Sequence, residues 1–291
     1  MKKMFAALVG VALLGIAAAC SEGGDTPELL IAGIPDQDTS LLEERFNRLA
    51  EHLSEETGFS VRYVPQADYA AVVTSFKQGD VHLVWYGALT GVQARIAVPE
   101  ADAIAHRPRD GEFHSVFVAA PGSGISSLED LRGKTVTFGS ESSTSGHLMP
   151  RYYLSQTGVD TETELSAISF SGSHDRTWKL VEAGSFDAGA LSEAVWEARV
   201  EAGEVDTSKV DVFYRTPAYV NYHWVAHPSI DDEFGEGALD NITDALLTVD
   251  VDRGGRAKEI AESFNGERFV RTNNDRYQAI EDAAREFGII E

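Results

Sequence analysis

The sequence predicts an α/β fold built as two lobes, and three observations predict it. Short apolar, strand-like runs alternate with longer helix-like periods from Leu29 onward. The series changes near residues 115–121, restarts as a second α/β series, and changes again near residues 216–222. About 265 residues follow the N-terminal segment, enough for one large or two medium domains with real cores.

Taken in order, "LLIAGIP" (Leu29 to Pro35) reads as a buried strand stopped by proline. "TSLLEERFNRLAEHLSEETG" reads as a helix entered at Thr39 or Ser40 and closed by Gly58. Strand "VRYVP", helix "DYAAVVTSFKQG", strand "VHLVWYG" and helix "LTGVQARIAV" follow, an alternation that predicts a mostly parallel sheet with helices on both faces. Then come strand "HSVFVAAP", a short capped helix "SSLEDLRG" and strand "KTVTFG". The second series continues with helix "GHLMPRYYLSQTG", strand "AISFSGS", helix "DRTWKLVEAG", strand "DAGALS", helix "EAVWEARVEAG" and strand "VDVFYRTP". "NYHWVAHP" is a strand, and "DNITDALLTV", "AKEIAESF" and "DRYQAIEDAAREFG" are helical. The expected division is lobe 1 over residues 29–117 and 220–291 and lobe 2 over residues 118–219, joined by two hinge crossings. A ligand is then expected between the lobes, near the carboxyl ends of strands.

The first residues, "MKKMFAALVGVALLGIAAAC", place two lysines before a short apolar run that ends in small residues. That pattern predicts an export signal over residues 1–19, too short and wrongly flanked for a stable membrane span. Cys20 is the only cysteine, so no intramolecular disulfide is possible; the "AAAC" ending resembles the bacterial lipoprotein signal, in which the cysteine is lipidated. Residues 20–28 are small and polar and read as a tether. The formal charge is −23, or −25 once Lys2 and Lys3 leave with the signal. A surface this acidic argues against a nucleic-acid partner and against charge-driven docking on anionic lipid.

The densest chemistry lies in "GSESSTSGHLM", Gly139 to Met149. A strand ends there, glycine and serine turn the chain, and a helix is expected to begin near Ser143 or Thr144. The first turn of a helix leaves N–H groups unpaired at the positive end of its dipole, which suits an anion. Ser143, Thr144 and Ser145 add rotatable donors, and Gly146 gives clearance. Four or five hydrogen bonds to a charged group supply on the order of 6–15 kcal/mol before ordering costs, against about 8 kcal/mol for micromolar affinity. Glu141, two residues before such a site, must point away from it. A nucleophilic serine is disfavoured, because the closing glycine of G-x-S-x-G is missing and His147 sits on the same helix.

Other polar and aromatic residues recur at strand ends: Asp36, Tyr69, Tyr86, His174, Glu193 and Tyr222. Their shared position predicts that several line one cleft. His223 and His227 fall four apart on one face of a strand without a third ligand, so no metal site is expected.

The blocks "IAGIPDQD", "DYAAVVTSFKQGDVHLVWYGALTGVQAR", "TFGSESSTSGHLMPRYYL", "SGSHDRTWKLVEAGSFDAGALSEAVWEARV" and "VFYRTPAYVNYHWV" occur in order between Leu29 and His227. Together they resemble the phosphate, phosphite and phosphonate substrate-binding proteins of ABC importers, and are most similar to the branch labelled selenate-binding. The resemblance implies a type II periplasmic-binding fold that closes on a small oxyanion and presents it to a membrane permease. It implies a lipid-anchored monomer at the periplasm or cell surface, with no cofactor and no catalytic step. A sensor reporting the anion to a signalling partner is the alternative. By the same resemblance Ser143, Thr144 and Ser145 hold the oxyanion, joined by Tyr69, Tyr86 and His174. Glu193 falls near the acid that meets the amine of an aminophosphonate. The second such acid belongs near Asn221 and Tyr222, where this sequence has no carboxylate, which argues against that ligand. Phosphorus oxyanions carry a proton near neutral pH and can donate to a buried carboxylate, whereas selenate and sulfate want donors only. Contact of Asp36 or Glu193 with the anion would therefore favour phosphorus.

Overall fold

The computed structural model describes residues 27–265 and 268–291 and contains two mixed sheets. The chain starts with β1 (Glu28–Gly33), α1 (Thr39–Thr57), β2 (Ser60–Tyr63), α2 (Tyr69–Gln78), β3 (Leu83–Tyr86), α3 (Ala88–Ala97) and β4 (Asp102–His106). It crosses to β5 (Ser115–Ala119), β6 (Thr135–Phe138), α4 (Met149–Gln156), β7 (Ala167–Phe170), α5 (His174–Glu182), β8 (Ala188–Ser192), α6 (Glu193–Glu201) and β9 (Asp211–Arg215). It returns through β10 (His223–Ala226), α7 (Ile230–Phe234), α8 (Ala238–Leu247), α9 (Gly255–Ser263), β11 (Val270–Arg271) and α10 (Gln278–Glu286). The sheets run β11-β4-β10-β3-β1-β2 and β7-β6-β8-β5-β9.

Local chemistry sets these elements. Asp38 caps α1 by accepting from the Ser40 amide, and Gly58 closes it in the left-handed region with its N–H on Ser54 O. Leu42, Phe46, Leu49 and Leu53 form the buried stripe of α1. Phe46 packs so closely on β1 that a Cβ at Gly33 would fall 2.3 Å from its ring. One core fills the first lobe, and two smaller cores lie against the second sheet.

Parallel pairing is confined to β2-β1-β3 and β7-β6-β8, and the expected mostly parallel sheets are mixed. β5 and β10 pair antiparallel with their neighbours, because the chain enters each from the other sheet rather than through a helical crossover. β4 has no counterpart among the strands expected from sequence. Its residues 103–105 are Ala, Ile and Ala, a weak strand signal that only burial between neighbours rescues. "SSLEDLRG" contracts to a single turn over Glu129–Leu131. The expected lobe boundary at residue 117 falls inside β5, whose partners β8 and β9 are both in the five-stranded sheet. The chain passes between sheets over residues 107–114 and 216–222. These two crossings are bonded to each other, Phe113 N to Tyr219 O at 2.7 Å and Tyr219 N to Phe113 O at 2.9 Å. The expected signal, Cys20 and most of the tether lie outside the described residues; Glu28, the last tether position, begins β1.

Candidate functional site

The parallel strands aim their carboxyl ends at one place, and the loops that follow them meet there. After β6, Gly139 to Ser143 turn the chain into a π-helical turn, Thr144–Leu148, which runs on into α4. The turn is pinned by Gly139 N to Gly146 O at 2.8 Å and Gly146 N to Ser143 Oγ at 2.9 Å. A Cβ on Gly146 would stand 3.0 Å from the Gly139 Cα and 2.9 Å from Ser143 Oγ, so this close approach requires glycine.

Ser143, Thr144 and Ser145 are all buried. Ser143 Oγ accepts from Gly146 N, and Thr144 Oγ1 accepts from Leu89 N of α3 at 2.8 Å. A hydroxyl that already accepts from an amide keeps its proton for another partner, so both act as neutral donors. The Ser145 carbonyl accepts from Ser115 Oγ at 2.7 Å. The amides of Thr144 and Ser145 stand in the first turn, where the helix offers no partner.

The first lobe answers with Asp36, Tyr69 and the start of α3. Tyr222 Oη donates to Asp36 Oδ2 at 2.7 Å, and the Asp36 carbonyl accepts from His174 N at 2.9 Å. His174 Nδ1 accepts from Ser192 N at 3.3 Å, so neutral His174 carries its proton on Nε2. That nitrogen lies 3.3 Å from Tyr222 Oη and 3.5 Å from Ser145 Oγ. Burial lowers the His174 pKa against the opposing charges of Asp36 and Asp175, keeping the ring neutral. An Nε2–H donor cannot act as a base toward Ser145, so the pair is not a nucleophile and its base. Tyr69 Oη is buried without a hydrogen-bond partner. Burial, and then the Asp36 charge, hold the phenols of Tyr69 and Tyr222 far above their usual range, so both remain protonated.

Two of the residues singled out in the sequence are not brought to this cluster. Tyr86 Oη donates to Val72 O at 3.2 Å and its ring packs edge-on against Phe76, inside the first-lobe core. Every residue of β3 is buried, so the sequence holds no polar-apolar alternation to say which side faces the cleft. Glu193 is held by Arg215, with Arg215 Nη2 to Oε2 at 2.9 Å, and lines a separate hollow beside Arg109 and His114. Glu141 is exposed and lines another hollow with His147 and Arg151. His223 stacks on Tyr277 at 3.8 Å while His227 bonds Ser229, and among the described residues no group of three His, Cys, Asp or Glu could hold a metal.

Sequence reasoning missed Asn221. Its Oδ1 accepts from Ala88 N at 3.1 Å, and its Nδ2 is buried without a partner. α3 has no side-chain cap of its own, and Asn221 and Thr144 together supply one. The bare "GALT" start of α3 was the available signal. The cluster thus presents hydroxyl, phenol, amide and imidazole donors around a single carboxylate, an arrangement fitted to an anion that also carries a proton or a neutral edge.

A family model described as "ABC transporter, phosphonate, periplasmic substrate-binding protein" matches residues 31–277. The chain is 41% identical over 269 residues to a probable ABC transporter phosphite binding protein, PhnD1, of Prochlorococcus marinus, covering 90% of each chain. It is also similar to the solved structure of PhnD1 in complex with methylphosphonate, with a TM-score of 0.87 and 40% identity over 90% of this chain and 99% of that one. A binding protein component of an ABC phosphonate transporter from Pseudomonas aeruginosa, 19% identical, shares the fold with a TM-score of 0.79 over 89% and 86% of the two chains.

Proposed function

Because the chain belongs to the family of periplasmic substrate-binding proteins of ABC phosphonate transporters, and is a binding component rather than an enzyme, we propose that it captures a small protonated phosphorus oxyanion, phosphite or methylphosphonate in type. The lobe built on the six-stranded sheet and the lobe built on the five-stranded sheet, which includes all of β5, close on the anion. Ser143, Thr144 and Ser145 donate from one side, Tyr69 and Asn221 from the other, and His174 Nε2–H between them, while Tyr222 directs its single proton to Asp36 and fixes that carboxylate. Tyr86 and Glu193 stand outside this set, the first bonded to Val72 and the second to Arg215.

The observation that carries the reading is Asp36, a buried carboxylate held by Tyr222 within a ring of neutral donors. A P–OH donates to it, whereas fully ionised selenate or sulfate would face it with lone pairs only. Selenate is therefore disfavoured as the ligand. Cys20 would be lipidated and tether the protein as a monomer at the membrane beside its permease.

Calorimetric titration with phosphite, methylphosphonate, phosphate, selenate and sulfate tests the reading. Phosphite or methylphosphonate should bind at micromolar concentration or tighter, and selenate and sulfate at least tenfold more weakly. No binding by any of the five, or tightest binding by selenate or sulfate, overturns it.

A further inference from the structure

A protein of formal charge −23 repels the anions it must collect, and the cleft mouth holds an answer to that problem. The mouth is a hollow of about 380 Å³ between the lobes, bordered by Tyr69 and by residues on either side of it. Two cations stand there, Arg176 and Lys179, three apart on α5 and therefore on one helical face. Both are exposed. Among the described residues neither has a carboxylate within 4 Å, a state shared with Arg45, Arg95, Arg253, Arg268 and Arg276, none of which lines this hollow.

Of the three carboxylates at the same mouth only Asp175 is neutralised by a partner, Arg199, and the charges of Asp38 and Asp68 are what Arg176 and Lys179 offset. Asp38 accepts from Ser40 N, Asp68 caps α2 by accepting from Ala71 N, and Asp175 is held by Arg199 and by Asp38 N. The Arg176 guanidinium lies over Gly172, with Nη1 3.8 Å from where a Cβ on that glycine would stand. Lys179 Nζ lies 5.2 Å from the Trp178 ring centroid. α5 itself begins with His174, so the helix that carries both cations also carries a donor of the cluster.

We infer that Arg176 and Lys179 are capture residues: a cationic pair at the cleft mouth that offsets the carboxylates around it and draws anions through the field of an acidic molecule toward the donor cluster. The inference rests on the oxyanion reading of that cluster. Because the pair lies at the mouth and outside the hydrogen-bonded cluster, it acts on the rate of entry and leaves the rate of escape from the closed state alone. Steering of this kind raises association rates by ~10- to 1,000-fold and weakens as salt shortens the Debye length.

Stopped-flow binding of phosphite, followed by intrinsic tryptophan fluorescence over a range of sodium chloride, tests it on Arg176→Gln, Lys179→Gln and the double variant, with Lys209→Gln as a control charge outside the mouth. At low salt the double variant should lose roughly tenfold in association rate, keep its dissociation rate, and lose most of its salt dependence, while Lys209→Gln changes little. An unchanged association rate in the double variant, or a change confined to dissociation, overturns the inference. Equal losses in Lys209→Gln also overturn it, since net charge would then suffice. Wild-type protein that binds no phosphorus oxyanion overturns the oxyanion reading and the capture role together, a result distinct from intact binding with unaltered kinetics.

Discussion

The oxygen of Thr144 is placed to serve two partners, of which the proposed anion is the second. It accepts from the Leu89 amide of the other lobe, and the same geometry leaves its proton for an anion. Removing the hydroxyl costs a hydrogen bond to a charged group, about 1.5–3 kcal/mol, and orphans a buried amide, about 1–3 kcal/mol. Thr144→Ala should therefore weaken phosphite binding at least tenfold by calorimetry, and Thr144→Ser should restore most of it; unchanged affinity in the alanine variant removes the turn from the site. Thr144 was legible in sequence because five hydroxyl residues before a helix exceed what capping needs. Asn221 was not, since the amide it caps lies 133 residues away. Tyr86 was misplaced for a different reason: a strand buried on both faces gives no parity to read, and the ring turns into the core beneath α2.

At the scale of elements, α5 and α6 are locked together and then to α1. Arg199 of α6 donates to both oxygens of Asp175 on α5, at 2.7 and 2.8 Å, and Asp175 Oδ2 also accepts from Asp38 N at the start of α1. Burial opposes the charge of Asp175, yet the Arg199 guanidinium holds its carboxyl below the usual range. Both side chains are only 7% exposed, so removing one strands the other without solvent. Arg199→Ala should cost about 3–5 kcal/mol in urea denaturation, with Arg199→Lys recovering part of it; a loss under 1 kcal/mol would mean that water reaches Asp175. The helices themselves were readable from caps and periodicity, as α1 shows with Asp38 and Gly58 at its ends. The order and direction of strands were not: β10 inserts between β3 and β4 only because the chain returns from the second sheet.

For the whole molecule, the two-lobed plan was visible as two α/β series, but the bonds that join the lobes were not. They link residues far apart in sequence, such as Thr90 Oγ1 to Ser142 O at 2.9 Å and His174 N to Asp36 O at 2.9 Å. The fold also buries imidazoles, and this gives the molecule a pH dependence of definite sign. His52, His82, His147, His174, His223 and His227 are all held below the ordinary value of 6.5, in each case chiefly by burial. His223 is the strongest case: it donates to Asn221 O, receives Arg95 Nη1 at 2.8 Å, and cannot gain a proton without facing that guanidinium. A folded pKa below the unfolded one means that the unfolded chain binds more protons through this range, so stability rises with pH there. The contribution is complete above about pH 6.5 and is lost as pH falls toward the folded values. The melting temperature should accordingly hold steady from pH 8 to 7 and fall between pH 6.5 and 5, and His223→Gln should flatten that fall. A melting temperature that rises on acidification through this window would mean that relief of the −23 charge outweighs the buried imidazoles.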